Sequence, residues 1–243
     1  MAITSVGTGT AANSTAPATG FSLTRGGAAT GDLVLALVGQ KNSTDYTTIA
    51  ESGATYTRLL GLNGSSGSSL TLWGKIMTAS EADPTFTSSD PTAGRTLIGQ
   101  AHTFRGTLDT VTGIVAHSAT GSGAGASAIT CPALTVTEAN TVVVACGIRE
   151  NQWAAEDIAA LATMTEIGQP ERTSSAQVAL IWDYVIQTTA TNIASGTWTS
   201  TVNTTDYVAL IVAIKEAVVA GAGHPTARRP GRLIAGVDNV RIY

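Results

Sequence analysis

Chemistry in this chain could be built only from a short inventory: three histidines (His102, His117 and His224), two cysteines, four tryptophans and two close acidic pairs. The acidic pairs are Glu81 with Asp83 and Glu156 with Asp157. Glycoside hydrolysis needs two carboxylates facing each other across a bond, and calcium needs several oxygens on one loop. Both pairs also have ordinary readings, because Asp83 precedes Pro84 as a turn former and Glu156 with Asp157 suits a solvated helix face. His102 falls within a strand, where a histidine without a partner is a packed or surface residue rather than a base. No H-x-H, H-E-x-x-H, C-x-x-C or G-x-S-x-G string occurs. The expectation is a protein with no catalytic residue, metal or cofactor, and an enzyme would have to prove itself by turnover lost on carboxylate replacement.

The remaining candidates are weaker still as chemistry. Gly121-Ser-Gly-Ala-Gly-Ala126 fits the dinucleotide fingerprint in letters, but residues 127–134 are strand-like and contain Pro132, so it reads as a linker. Cys131 and Cys146 flank a hairpin expected at Glu138-Ala139 that would set them opposite each other. A disulfide is conceivable there, while cytoplasmic synthesis and strand burial favour two free thiols. Among the tryptophans, Trp73 and Trp182 occupy matching places in an internal repeat and are expected in the core. Trp153 has no counterpart and is the candidate loop contact for a glycan or protein partner.

That repeat is what must position everything else. Asp32-Leu-Val-Leu-Ala-Leu-Val-Gly39 lines up with Asn140-Thr-Val-Val-Val-Ala-Cys-Gly147, and Tyr56, Trp73, Phe86 and Ala101 answer Met164, Trp182, Trp198 and Ile211, at offsets near 110 residues. Turn chemistry separates strands at 21–24, 32–40, 56–62, 69–77, 85–87 and 96–105, then again at 129–136, 141–149, 164–167, 176–186, 197–199 and 207–216. The run 32–40 is apolar at nearly every position, which predicts a central strand buried on both faces. Residues 153–162 have helix-forming composition with Asn151 as N-cap. The fold class expected is all-β: a jelly-roll-like two-sheet β-sandwich of two pseudo-repeats, 21–115 and 128–218, whose halves pair edges. Residues 1–20 are expected to form a thin strand or an ordered N-terminal arm, and 219–243 an extended basic C-terminal arm.

Charge supports that division. Only 12% of the 243 residues are charged and the net charge is −4. Residues 219–243 hold Arg228, Arg229, Arg232 and Arg241 against Asp238, a net +3, which leaves −7 on the body. A basic tail on an acidic body suggests docking on an acidic protein surface, with Arg228, Arg229, Arg232, Arg241 and Tyr243 as the contact residues. The acidic body and the lack of aromatic residues interleaved with basic ones disfavour nucleic acid. The first residues show no secretory signal and the longest apolar run, 33–38, is too short to span a bilayer, so no membrane role is expected.

Three segments resemble a group of tailed-bacteriophage virion proteins: Gly31-Asp-Leu-Val-Leu-Ala-Leu-Val38, then Leu72-Trp-Gly-Lys-Ile-Met-Thr-Ala-Ser-Glu-Ala-Asp-Pro-Thr-Phe86, and a strand ending Phe104-Arg105-Gly106. The resemblance covers about residues 20–216 and implies a non-enzymatic structural protein made in a bacterial cytoplasm and placed in the virion. It leaves head, tail and fibre open. The leading expectation is a capsid-surface decoration (cement) subunit that self-associates, as a trimer or otherwise, and clamps virion proteins such as the major capsid protein. The alternative is a receptor- or glycan-binding module of a tail or fibre. Val237-Asp-Asn-Val-Arg-Ile-Tyr243 is similar to the closing strand of concanavalin-like laminin-G jelly rolls, which implies that the tail ends in a strand on its own or a neighbour's sheet.

Overall fold

Runs of β-branched and large apolar residues broken by Gly, Asp-Pro and Asn turns leave the chain little choice but strands. The computed structural model describes residues 2–216, apart from 16–19, 44, 54, 66, 79–80, 91–94, 107–113, 123–125, 154–157, 174–176 and 205. The first repeat contains β1 (Thr4–Thr8), β2 (Ala12–Ser14), β3 (Phe21–Ser22), β4 (Leu33–Lys41), β5 (Ile49–Glu51), β6 (Thr57–Asn63), β7 (Ser68–Ile76), β8 (Thr85–Ser88) and β9 (Thr96–Arg105). The second contains β10 (Ile114–Ser122), β11 (Ala126–Cys131), β12 (Thr141–Arg149), β13 (Thr165–Gly168), β14 (Glu171–Arg172), β15 (Val178–Gln187), β16 (Gly196–Thr204) and β17 (Tyr207–Lys215). One 3-10 turn, Tyr46–Thr48, precedes β5.

The molecule is an all-β sandwich, and the two repeats share one topology. The first large sheet has the order β1-β9-β4-β7-β6 and the second β10-β17-β12-β15-β13, so each strand of one has a counterpart in the same place in the other. The large sheets pack face to face through Leu33, Leu35, Leu37, Leu70 and Leu72 on one side and Val142, Val144, Cys146, Leu180 and Trp182 on the other. Each outer face is covered by a small sheet, β3-β8-β5 over the first and β11-β16 over the second. Alternate residues of β4 and of β12 therefore enter different cores, which is why both strands are apolar throughout. Gly39 lets the sheets approach here, since a Cβ on it would lie 2.4 Å from Ile148 Cδ1 and 2.8 Å from Leu180 Cδ2.

Several expectations need correction. The halves join by their faces, and no described ladder links a strand of one to a strand of the other. Of the strand and the arm expected over residues 1–20, residues 4–14 take the strand: β1 and β2 pair with β9 at the sheet edge. The stretch 114–122, divided between the first repeat and a linker in the sequence reading, is β10 and belongs to the second sheet. The structural repeats thus run Thr4–Arg105 and Ile114–Lys215, with the join at 107–113. Gly121 and Ser122 end β10 and Ala126 starts β11. No helix forms over the described part of 153–162, because backbone donors there go to side chains: Ile158 N–H to Gln169 Oε1 at 2.9 Å and Leu161 N–H to Asp183 Oδ2 at 2.8 Å. Cys131 and Cys146 are free and buried on opposite faces of the second large sheet, because β11 pairs with β16 rather than with β12.

Facing also refines the repeat alignment. Leu33, Leu35 and Leu37 correspond to Val142, Val144 and Cys146, one residue beyond the match that aligned Gly39 with Gly147. Trp73 then corresponds to Asp183, and Leu72 to Trp182: Leu37 pairs with Leu72 as Cys146 pairs with Trp182. The two tryptophans are core residues of different layers. Trp73 lies 5.5 Å from Phe86 under the first small sheet, whereas Trp182 faces the other half.

Candidate functional site

Among the described residues, polar side chains from distant parts of the chain gather at the seam between the halves and in a cleft of each repeat. The seam is held by buried bonds. Asp206, fully buried before β17, accepts from Gly67 N–H at 3.0 Å and Ser68 N–H at 2.8 Å, so a residue of the second half closes the β6–β7 turn of the first. Lys41 Nζ donates to Gln177 O at 3.0 Å, and Trp182 Nε1–H donates to Gln100 Oε1 at 2.9 Å. His102, 3% exposed, sits against Phe104, Trp182 and Tyr184 with ring centroids 4.7–6.1 Å away. Its ring nitrogens meet Ser5 Oγ at 2.9 Å and Thr8 Oγ1 at 2.8 Å, tying β1 to β9.

Ser5 and His102 stand at hydrogen-bond distance, the arrangement from which a serine nucleophile is made. Here the other ring nitrogen meets a threonine, which supplies no negative charge to stabilise an imidazolium. Burial holds the His102 pKa down to about 4, so the ring is neutral and a weak base. Its role is to fasten the edge strand. Asp183 is the buried acid of the second repeat, with Oδ2 accepting from Leu161 N–H and from Trp198 Nε1–H, both at 2.8 Å. Its Oδ1 has no partner, and burial raises its pKa to about 6 despite those bonds. Where the first repeat stacks Trp73 on Phe86, the second bonds Asp183 to Trp198.

The clefts occupy equivalent places, at the ends of β7 and β15. Lys41 meets Gln177 and Gly67 meets Asp206 at the far end, so both clefts open at one end of the stack. In the first repeat a cleft of about 350 Å³ is lined by Glu51, Gly53, Lys75, Glu81, Asp83 and Thr85. Glu81 and Asp83 do share a site, but neither is available to oppose the other across a substrate. Lys75 Nζ lies 2.6 Å from Glu81 Oε2, and Arg25 Nε lies 2.8 Å from Asp83 Oδ1. Glu51 accepts backbone N–H groups of Gly53, Thr55 and Tyr56. No group of three or more potential metal ligands occurs among the described residues.

In the second repeat the cleft is about 490 Å³ and carries no charge, with Ala162, Thr163, Val185, Ile186, Gln187 and Thr189 among its lining residues. Two features mark it. Thr163, a β-branched residue, has φ of 71°, which turns the chain so that β13 begins pairing with β15 only at Thr165–Tyr184. Gln187, 8% exposed, donates from Nε2 to Thr191 O at 2.8 Å, but its Oε1 is buried with no donor. Neither was singled out from the sequence, and only the register of the paired strands makes Gln187 the counterpart of Met77.

Trp153 is not presented to a partner. It is 1% exposed in the core of the second repeat, its indole N–H donates to Leu180 O at 3.1 Å, and the Arg149 guanidinium lies 4.7 Å from its ring. Its backbone N–H donates to Glu171 Oε2, which fixes the loop that carries it. Arg228, Arg229, Arg232, Arg241, Tyr243 and His224 lie outside the described residues, as do Glu156 and Asp157. His117 sits on edge strand β10, exposed and paired in register with Val212. No helix among the described residues is long and apolar enough to cross a membrane. Comparisons with protein-family models, with curated proteins and with solved structures found no match.

Proposed function

We propose that the chain is a non-enzymatic structural subunit of a tailed-phage particle, placed on the capsid surface as a decoration (cement) protein. The observation that supports this most is the use of its buried polar groups. Asp206 closes a turn of the other half, Lys41 and Gln100 bridge the seam, His102 fastens the edge strand, and Asp32 holds Arg105 at 2.9 Å. Groups used in this way make a rigid four-layer block suited to bearing load between neighbours. The particle itself comes from the resemblance of 31–38, 72–86 and 104–106 to virion proteins. The basic tail supplies the contact, with Arg228, Arg229 and Arg232 facing an acidic shell protein. The receptor or glycan reading loses its contact residue with Trp153 in the core.

The test uses shells of the parent particle assembled without this subunit. Purified full chain is expected to bind them saturably and to raise their thermal disruption temperature. Removing residues 219–243 should abolish binding while leaving the sandwich's own unfolding transition in place. Failure of the full chain to bind any such shell would overturn the reading.

A further inference from the structure

The cleft of the second repeat is an interrupted sheet edge. Val185, Ile186 and Gln187 pair with β12 on one side, at Val143, Val142 and Thr141. On the other side the ladder ends at Thr165–Tyr184, because Thr163 turns the chain away. Three residues of backbone therefore face the cleft with no strand beside them among the described residues. The uncharged lining of Ala162, Val185, Ile186 and Thr189 suits an extended segment with apolar side chains, and the Gln187 Oε1 without a donor needs an N–H. Adding a strand meets both requirements. In the first repeat the β6–β7 ladder also ends early, at Thr57–Gly74, but the cleft there is charged, with Lys75 and Glu81 ion-paired in its lining.

The chain itself has β-branched residues after Glu216. β17 finishes beside β12, with Lys215 opposite Thr141, and Glu216 N–H donates to Asn140 O at 2.8 Å. From β17 to the open edge of β15 is about three strand spacings, ~14 Å, or about five extended residues. Val218 and Val219 are too close to Glu216 to reach and pair. Val237-Asp-Asn-Val-Arg-Ile-Tyr243, the other β-branched stretch after Glu216, has ample chain before it. β15 and β17 both end at this side of the sheet, so a chain leaving β17 must reverse to enter the cleft and would run antiparallel to β15.

We propose that residues 237–243 add as a strand to the open edge of β15 at Val185–Gln187 of the same molecule, pinning the basic tail at both ends. Arg228, Arg229 and Arg232 are then carried on a closed loop beside the clefts. This goes beyond the particle reading and does not depend on it.

Trypsin tests it, because the tail holds its own cleavage sites. In the full chain the initial rate of cutting after Arg241, followed by mass spectrometry, should be at least about tenfold below that after Arg232. Ala162→Trp fills the cleft from an exposed position, and the two rates should then become equal with the unfolding midpoint unchanged; Thr189→Trp is the second blocking variant. Equal rates in the parent chain, or protection that survives both variants, would overturn the proposal. Protection that vanishes on dilution together with a dimeric mass by light scattering would overturn its assignment to the same molecule.

Discussion

Asp183 and His102 set two opposed dependences of stability on pH, and separating them tests the reading of both buried sites. The Asp183 pKa is raised from 3.8 to about 6, so the stability tied to its protonated form is fully present below 3.8 and lost as pH rises through about 6. The His102 pKa is lowered from 6.5 to about 4, so the stability tied to its neutral form is present above 6.5 and lost as pH falls through about 4. Each shift exceeds two units, worth about 3 kcal/mol at about 1.4 kcal/mol per unit. Between pH 4 and 6.5 the two nearly cancel, and the parent protein should be close to indifferent to pH. Asp183→Asn keeps an acceptor for Leu161 N–H and removes the charge. The stability of that variant minus that of the parent, from urea unfolding at half-unit steps, should rise by about 3 kcal/mol from pH 4 to 6.5. His102→Val, the residue its counterpart position holds, should give a difference that falls by a similar amount over the same range. Subtraction removes the carboxylates common to both proteins and any constant packing loss. A flat difference curve for Asp183→Asn would refute the placement of that carboxylate in the core.

Asp206→Ala leaves the N–H groups of Gly67 and Ser68 buried without an acceptor and should cost about 2–4 kcal/mol in chemical denaturation, against less than about 1 kcal/mol for Asp45→Ala on the exposed turn. Gly39→Val should destabilise by about 1–3 kcal/mol, because its side chain meets Ile148 and Leu180 across the seam, while Gly27→Val, with open space around it but a positive φ, tests backbone strain without the seam. Burial pushes the Cys131 thiol up to about 12 and raises Cys146 further from reactivity, so neither should react with Ellman's reagent at pH 8 until denaturant unfolds the chain, when two thiols should appear.

The large strands were legible because their apolar runs are long and their turns carry Gly, Asn and Asp-Pro; β4, β7, β9, β12, β15 and β17 fall within a few residues of the sequence expectation. What the sequence hid has a common physical origin. A strand buried on both faces has no period-two pattern, so nothing in residues 33–41 or 141–149 fixes which side each residue takes, and a one-residue slip in the alignment exchanges the two cores. That slip made Trp73 and Trp182 look equivalent. β1 and β10 were taken for arm and repeat end because edge strands of Thr, Ser, Ala and Gly share the composition of linkers. Trp153 looked like a surface contact because it has no counterpart in the first repeat and falls in a loop that differs between the repeats, and only tertiary contacts with Glu171, Leu180 and Arg149 reveal its burial. The clefts lay hidden because the lining of each comes from two chain stretches at least 20 residues apart.

The face-to-face seam also lets the two repeats differ. A single repeat would expose Leu33, Leu35, Leu37, Leu70 and Leu72 to water in one patch, and such a polypeptide would pair with a second molecule of itself through that patch. With both repeats in one chain, each face of the seam can change without the other. In a symmetric pair of identical single repeats, any change at the Trp73 position would be imposed on both subunits. Here one side has a tilted Trp–Phe contact and an ion-paired cleft, while the other has an Asp–Trp bond and an uncharged cleft. Asymmetry of that kind is open only to a fused pair.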